Sequence, residues 1–169
     1  MEPMRLNDLI RLFAVLKDLH GQLASLVQLK IDAMKRSDLP LMAKLNEREQ
    51  AIVRRLEERE GLRRQLMDSI GADLGLKPAA ARAMTVSELA AILPESTRHD
   101  LIASATALRA VVARLARVNR VASEIARGIT GHLKWVFASV RPKDEGRSGY
   151  GVGGVLTRTA DLRIFEAVG

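Results

Sequence analysis

The chain has 169 residues, 47% apolar and 28% charged but only 3% aromatic, a composition that favours helices over a β fold and excludes disorder. It contains no cysteine, which excludes a disulfide framework, a thiolate zinc site and a cysteine nucleophile. The formal charge of +7 suits an anionic partner only if the surplus is gathered on one surface.

At the start, Glu2 and Asp8 interrupt any apolar run, so the layout of a secretory signal is missing. No stretch approaches the roughly 18 apolar residues that a membrane span needs. A cytoplasmic location without membrane insertion is the expectation.

From about Met4 to Lys35, Leu6, Leu9, Phe13, Leu16, Leu23, Val27 and Met34 recur at helical steps, and Leu12, Leu19 and Leu26 widen the stripe. This predicts a long helix facing a bundle. Asp38 offers an N-cap to a second helix, with Pro40 tolerated in its first turn. That helix, about residues 39–70, carries Met42, Leu45, Ile52, Leu56, Leu66 and Ile70, a seam interrupted by Glu49, Arg59 and Arg63. Its mixed acids and bases between Glu47 and Arg64 read as a solvated surface laced with ion pairs.

Gly71, Gly75 and Pro78 end this pattern. Thr85-Val86-Ser87-Glu88 is a capping box that opens a short helix through Leu93. After Pro94, Thr97 and Asp100 are placed to start the last helix. Its seam runs Leu101, Ala105, Leu108, Val112, Leu115, Asn119, Ala122, Ala126, Ile129, Leu133, Val136 and Val140, in alternating steps of four and three that mark coiled-coil-like packing.

The fold class expected is therefore all-α: an antiparallel bundle of three long helices plus one short helix over residues 1–140, followed by a flexible, glycine-containing tail over residues 141–169. Most of the positive surplus falls on residues 101–140 of the last helix, where Arg109, Arg114, Arg117, Arg120, Arg127 and Lys134 face Glu124 alone. Arg120, Arg127 and Lys134 lie seven apart, with Trp135 beside them and off the seam.

The tail holds Val152, Val155, Leu156, Leu162, Ile164, Phe165 and Val168. Full burial of each contributes about 1.5 to 3 kcal/mol, whereas ordering 29 residues of backbone costs roughly 30 to 60 kcal/mol. It needs a surface to fold against, either its own bundle, a second copy or a client. Whether it binds as helix or strand is left open by its pattern.

Other motifs have ordinary explanations. His20, His99 and His132 sit on different segments without the spacing of metal ligands, and His20 reads as a hydrogen-bonded bundle histidine. Gly149-Tyr150-Gly151-Val152-Gly153-Gly154 satisfies GxGxxG, but a long helix precedes it where a dinucleotide site needs a strand. Asn119 on the seam reads as a register-setting residue. No paired carboxylates or nucleophilic triad can be assembled, so no enzyme and no cofactor is expected.

Together these segments resemble the FlgN-type flagellar export chaperones. The resemblance rests on the leucine-rich opening helix, on Leu45-Asn46-Glu47-Arg48-Glu49-Gln50, and on the Leu66 to Gly71 ending. It continues through Ser87-Glu88-Leu89, Leu108-Arg109-Ala110-Val111-Val112, Asn119 and Leu133-Lys134-Trp135-Val136, then Tyr150-Gly151-Val152-Gly153-Gly154 in the tail. It implies a cytoplasmic chaperone that binds hook-associated flagellar proteins, prevents their premature assembly and delivers them to the type III export machinery.

On that basis Trp135, Phe137, Tyr150, Val155, Leu156, Leu162, Ile164 and Phe165 are the candidate client-binding residues. Arg114, Arg117, Arg120, Arg127 and Lys134 form a candidate basic surface. A helical scaffold or self-assembling coiled coil is the competing reading, and it requires a homo-oligomer built on the last helix. A basic helical protein that binds nucleic acid is a third, but no aromatic side chains interleave the arginines as a stacking platform, so no nucleic-acid partner is expected.

Overall fold

In the computed structural model the described residues are 3–140, and every regular element among them is an α-helix. Helix α1 spans Pro3–Lys35, α2 Leu39–Asp73, α3 Pro78–Ala83, α4 Val86–Ala91 and α5 Glu95–Val140. The three long helices fall where the apolar periods place them. The expected tail, residues 141–169, lies outside the described residues. The chain divides after His132 into two units, Met1–His132, which holds the bundle, and Leu133–Gly169, which takes the last turns of α5.

The turn between α1 and α2 is fixed at two residues, Ser37 and Asp38. Ser37 takes a left-handed φ of 53°, which lets its N–H reach the Met34 carbonyl at 3.1 Å and the Asp38 N–H reach Ala33 at 3.0 Å, the double bond of a Schellman ending. Asp38 then caps the next helix, its carboxylate accepting from the Leu41 N–H at 3.0 Å. One residue thus closes one helix and opens another.

Ion pairs lie at both ends of the antiparallel α1–α2 pair. Lys30 pairs with Glu49 near the turn, and Arg5 pairs with Asp73 at the far end. Glu49, which interrupts the apolar seam of α2 in sequence, is accounted for by Lys30; Arg63 donates from Nε to Glu60 at 2.8 Å.

Where α2 ends, Gly75 adopts φ 70° and Leu76 donates to the Gly71 carbonyl at 2.8 Å, a second Schellman ending with the glycine such geometry favours. Two short helices follow where the sequence suggested one. Pro78, read as part of the break, instead occupies the first turn of α3, where its missing N–H costs nothing, and the alanines behind it propagate the turn. A Cβ built on Gly71 would lie 2.1 Å from the Ala81 Cβ, so only glycine lets α3 pack this closely on α2.

The capping box of α4 forms as expected, with Glu88 N–H donating to Thr85 Oγ1 at 3.2 Å and Thr85 N–H donating to Glu88 at 2.7 Å. Helix α5 begins at Glu95, two residues before the expected Thr97, because the Pro94 carbonyl already accepts from the Arg98 N–H at 2.9 Å. Arg98 also reaches back to the carbonyls of Ala90 and Leu93, both at 3.0 Å, tying the end of α4 to the start of α5.

The core follows. At one end Leu9, Leu16 and Phe13 of α1 pack with Met67 and Ile70 of α2, Leu89 and Leu93, and Leu101 of α5. Toward the other end Leu23, Val27, Ile31 and Met34 pack with Leu115 of α5. Low numbers of α1 therefore meet low numbers of α5, and high meet high, so α5 runs parallel to α1 and antiparallel to α2. Each fully buried leucine contributes about 1.5 to 3 kcal/mol.

The seam of α5 differs from expectation on one side. Leu101, Ala105, Leu108, Leu115 and Ala122 turn inward, but Asn119 and Ala126 are exposed and Val118 and Ile125 pack in their place. Steps of three and of four from Leu115 land on adjacent residues, and the helices already present select which one is covered. Asn119 therefore has no register-setting role within this bundle.

Candidate functional site

Helix position determines which of the candidate residues can act together. In the Leu133–Gly169 unit, Trp135 and Phe137 are 66% and 70% exposed. Two residues apart on a helix means about 200° of rotation, so the two rings point to opposite sides. Phe137 shares its side with Leu133, 49% exposed, and with half-buried Val136, at the three- and four-residue spacing that makes one face. Leu133 and Val136 belong with the candidate apolar face, although their heptad spacing had placed them on the bundle seam. The Trp135 carbonyl accepts from Ser139 Oγ at 2.9 Å.

Tyr150, Val155, Leu156, Leu162, Ile164 and Phe165, together with the glycine motif at 149–154, lie outside the described residues.

In the Met1–His132 unit, Arg114, Arg117, Arg120 and Arg127 are all exposed. Arg127 donates to the Ser123 carbonyl at 3.2 Å. Successive steps of three, three and seven carry these side chains progressively round the helix, so they fan over its outer half and do not form a single line. Lys134, also exposed, lies in the other unit.

The histidines are dispersed. His20 Nδ1 donates to the Leu16 carbonyl at 2.7 Å, the bundle role its position suggested. Among the described residues, no three His, Cys, Asp or Glu side chains gather as metal ligands would, and no helix is long and apolar enough to cross a membrane.

Two carboxylates hold their charge more firmly than usual. Glu88 lies below its ordinary range because the Thr85 N–H and hydroxyl both bond its charged form, and Asp68 is lowered by a fork from Arg82, with Nε and Nη2 each 2.8 Å from one carboxylate oxygen. Both are structural fastenings of α3 and α4.

One concave surface lies between α1 and α2. Leu12, Val15, Leu62 and Leu66 form its apolar floor, and Asp8, Arg11, Arg59, Gln65 and Ser69 surround them. Nothing in the sequence pattern marked it, because Val15 and Leu62 fall off the main apolar stripes of their helices.

The family model described as FlgN protein covers residues 1–158. That span takes in all five helices and, of the candidate tail residues, Tyr150, Val155 and Leu156. No curated protein and no solved structure matches the chain.

Proposed function

Because the chain belongs to the FlgN family, we propose that it is a flagellar export chaperone that binds hook-associated proteins in the cytoplasm before type III export and prevents their premature assembly. The observation that carries this reading is the family match over residues 1–158, nearly the whole chain.

The grip proposed is the end of α5 together with the tail. Phe137, with Leu133 and Val136, offers an apolar face of the kind that receives an amphipathic client helix. Trp135, on the other side, supplies a second contact, so a client held by both aromatic rings must wrap the helix or meet the tail from two sides. Tyr150, Val155, Leu156, Leu162, Ile164 and Phe165 close over the client. Ordering a tail at the moment of binding subtracts from affinity, which suits a chaperone that must release its cargo.

The test is calorimetric titration of a hook-associated protein into the full chain, a version ending at Val140, and a Phe137→Ser variant of the full chain. The expected result is binding by the full chain that weakens tenfold or more, about 1.4 kcal/mol, in both altered forms. Equal binding by all three would move the client site onto the bundle, and no binding by any would remove the chaperone reading.

A further inference from the structure

The groove between α1 and α2 carries an inference independent of the client grip. Gly21 faces α5, with a built Cβ 3.9 Å from Val111 Cγ1. Val15, six residues earlier, lies about 120° round the same helix, so the groove floor opens on a face of the α1–α2 hairpin that α5 does not cover. Val15 and Leu62 remain 39% and 41% exposed there, above a floor that includes buried Leu12.

The rim defines the chemistry of an occupant. Arg11 stands on the α1 side with its side chain 82% exposed and only a long 3.9 Å approach to Asp8. Arg59, exposed on the α2 side, has no carboxylate within ion-pair distance among the described residues. Two guanidinium groups against one carboxylate leave the rim positive, and guanidinium forks favour carboxylates. A second copy of a chain that carries +7 is a poor match for such a rim. Nucleic acid is also a poor match, since no aromatic side chain lines the floor for stacking. A channel between two antiparallel helices offers no strand edge, and it takes a third helix laid along it.

We propose that the α1–α2 groove is a docking site for an acidic amphipathic helix of a partner protein, whose apolar side chains cover Val15 and Leu62 while its carboxylates engage Arg11 and Arg59. From residue 8 to residue 15 the groove runs roughly 10 Å, about two turns of the docked helix.

The probe is a synthetic, end-capped peptide of about 15 residues, long enough to hold a helix on binding, with leucines at i, i+4 and i+7 flanked by glutamates. An isomer with lysines in place of the glutamates is the control. Amide NMR signals of the full chain are followed on adding each peptide. The acidic peptide is expected to shift signals over residues 8–15 and 59–69. The double reversal Arg11→Glu and Arg59→Glu is expected to weaken it tenfold or more and to turn the preference toward the lysine isomer. Because that reversal creates binding as well as removing it, misfolding cannot mimic the result. Shifts confined to the α5 arginines, no binding up to about 1 mM peptide, an unchanged preference after reversal, or duplex DNA shifting the same groove signals would each overturn the proposal.

Discussion

Helices α1 and α5 are both long and amphipathic, yet among the described residues α1 supplies thirteen of the buried apolar side chains and α5 only Leu101 and Leu115. Helix α1 is covered from two sides, by α2 and by α5. Helix α5, although 46 residues long against 33, leans on the others along one edge. Its last residue packed in the core is Ile125, and Ile129 one turn later is 40% exposed. Apolar periodicity specifies that a helix has a face; only the neighbouring helices determine whether that face is covered. The uncovered part is where a binding protein has apolar surface to offer.

Leu16 and Ile129 separate the two helices most sharply. Leu16→Ala, at a position with no exposure, is expected to cost about 3 kcal/mol through lost burial and the cavity left behind. Ile129→Ala should stay within about 0.5 kcal/mol, as surface changes do. Urea unfolding of both variants measures the difference, and similar losses would mean that α5 is held as firmly as α1.

Next in size is Gly71→Ala. The added methyl group collides with Ala81 and must push α3 away, an overpacking cost of about 1 to 3 kcal/mol. Since α3 and α4 lead the chain into Leu101, hydrogen exchange in the first turns of α5 is expected to rise as well. A variant as stable as the parent would show that this end of the bundle is not closely packed.

The two Schellman endings predict opposite signs. Gly75→Ala places a Cβ at φ 70° and Ser37→Gly removes one at 53°, so the first should destabilise and the second stabilise, each by about 1 kcal/mol. Thermal melts that shift in the same direction would contradict the backbone account of both turns.

The smallest effect concerns pH. Glu88 and Asp68 have folded-state values lowered from 4.5 and 3.8, so their contributions are full above those values and fade as pH falls through the lowered ones. Glu88→Gln, which removes the titrating carboxylate, should remove the Glu88 part. The acid unfolding curve of that variant is expected to be flatter below about pH 4.5 than the parent's, with little change at neutral pH in that slope.

Much of this was legible in the sequence. The three long helices, the Asp38 cap and the Thr85 box follow from period and capping chemistry, which act within a few residues. Helix α3 was hidden because Pro78 signals a stop in one context and a first turn in another. The choice between Val118 and Asn119 depended on helices dozens of residues away. At the candidate site, the exposure of Trp135 and Phe137 agreed with their place off the main seam, but Leu133 and Val136 had been read as core because their spacing is that of core residues. The α1–α2 groove was illegible because its lining comes from two helices that sequence cannot place side by side at that register.

The apolar surface at the end of α5 is the proposed seat of the client. Hydrogen exchange of the full chain, alone and with a hook-associated protein, decides whether it is. Strong protection of α1 from Leu9 to Ile31 is expected in both samples, with weak protection over residues 129–140 in the free protein and a marked gain there when the client is added. Protection over 129–140 that already equals that of α1, or that the client leaves unchanged, would contradict it.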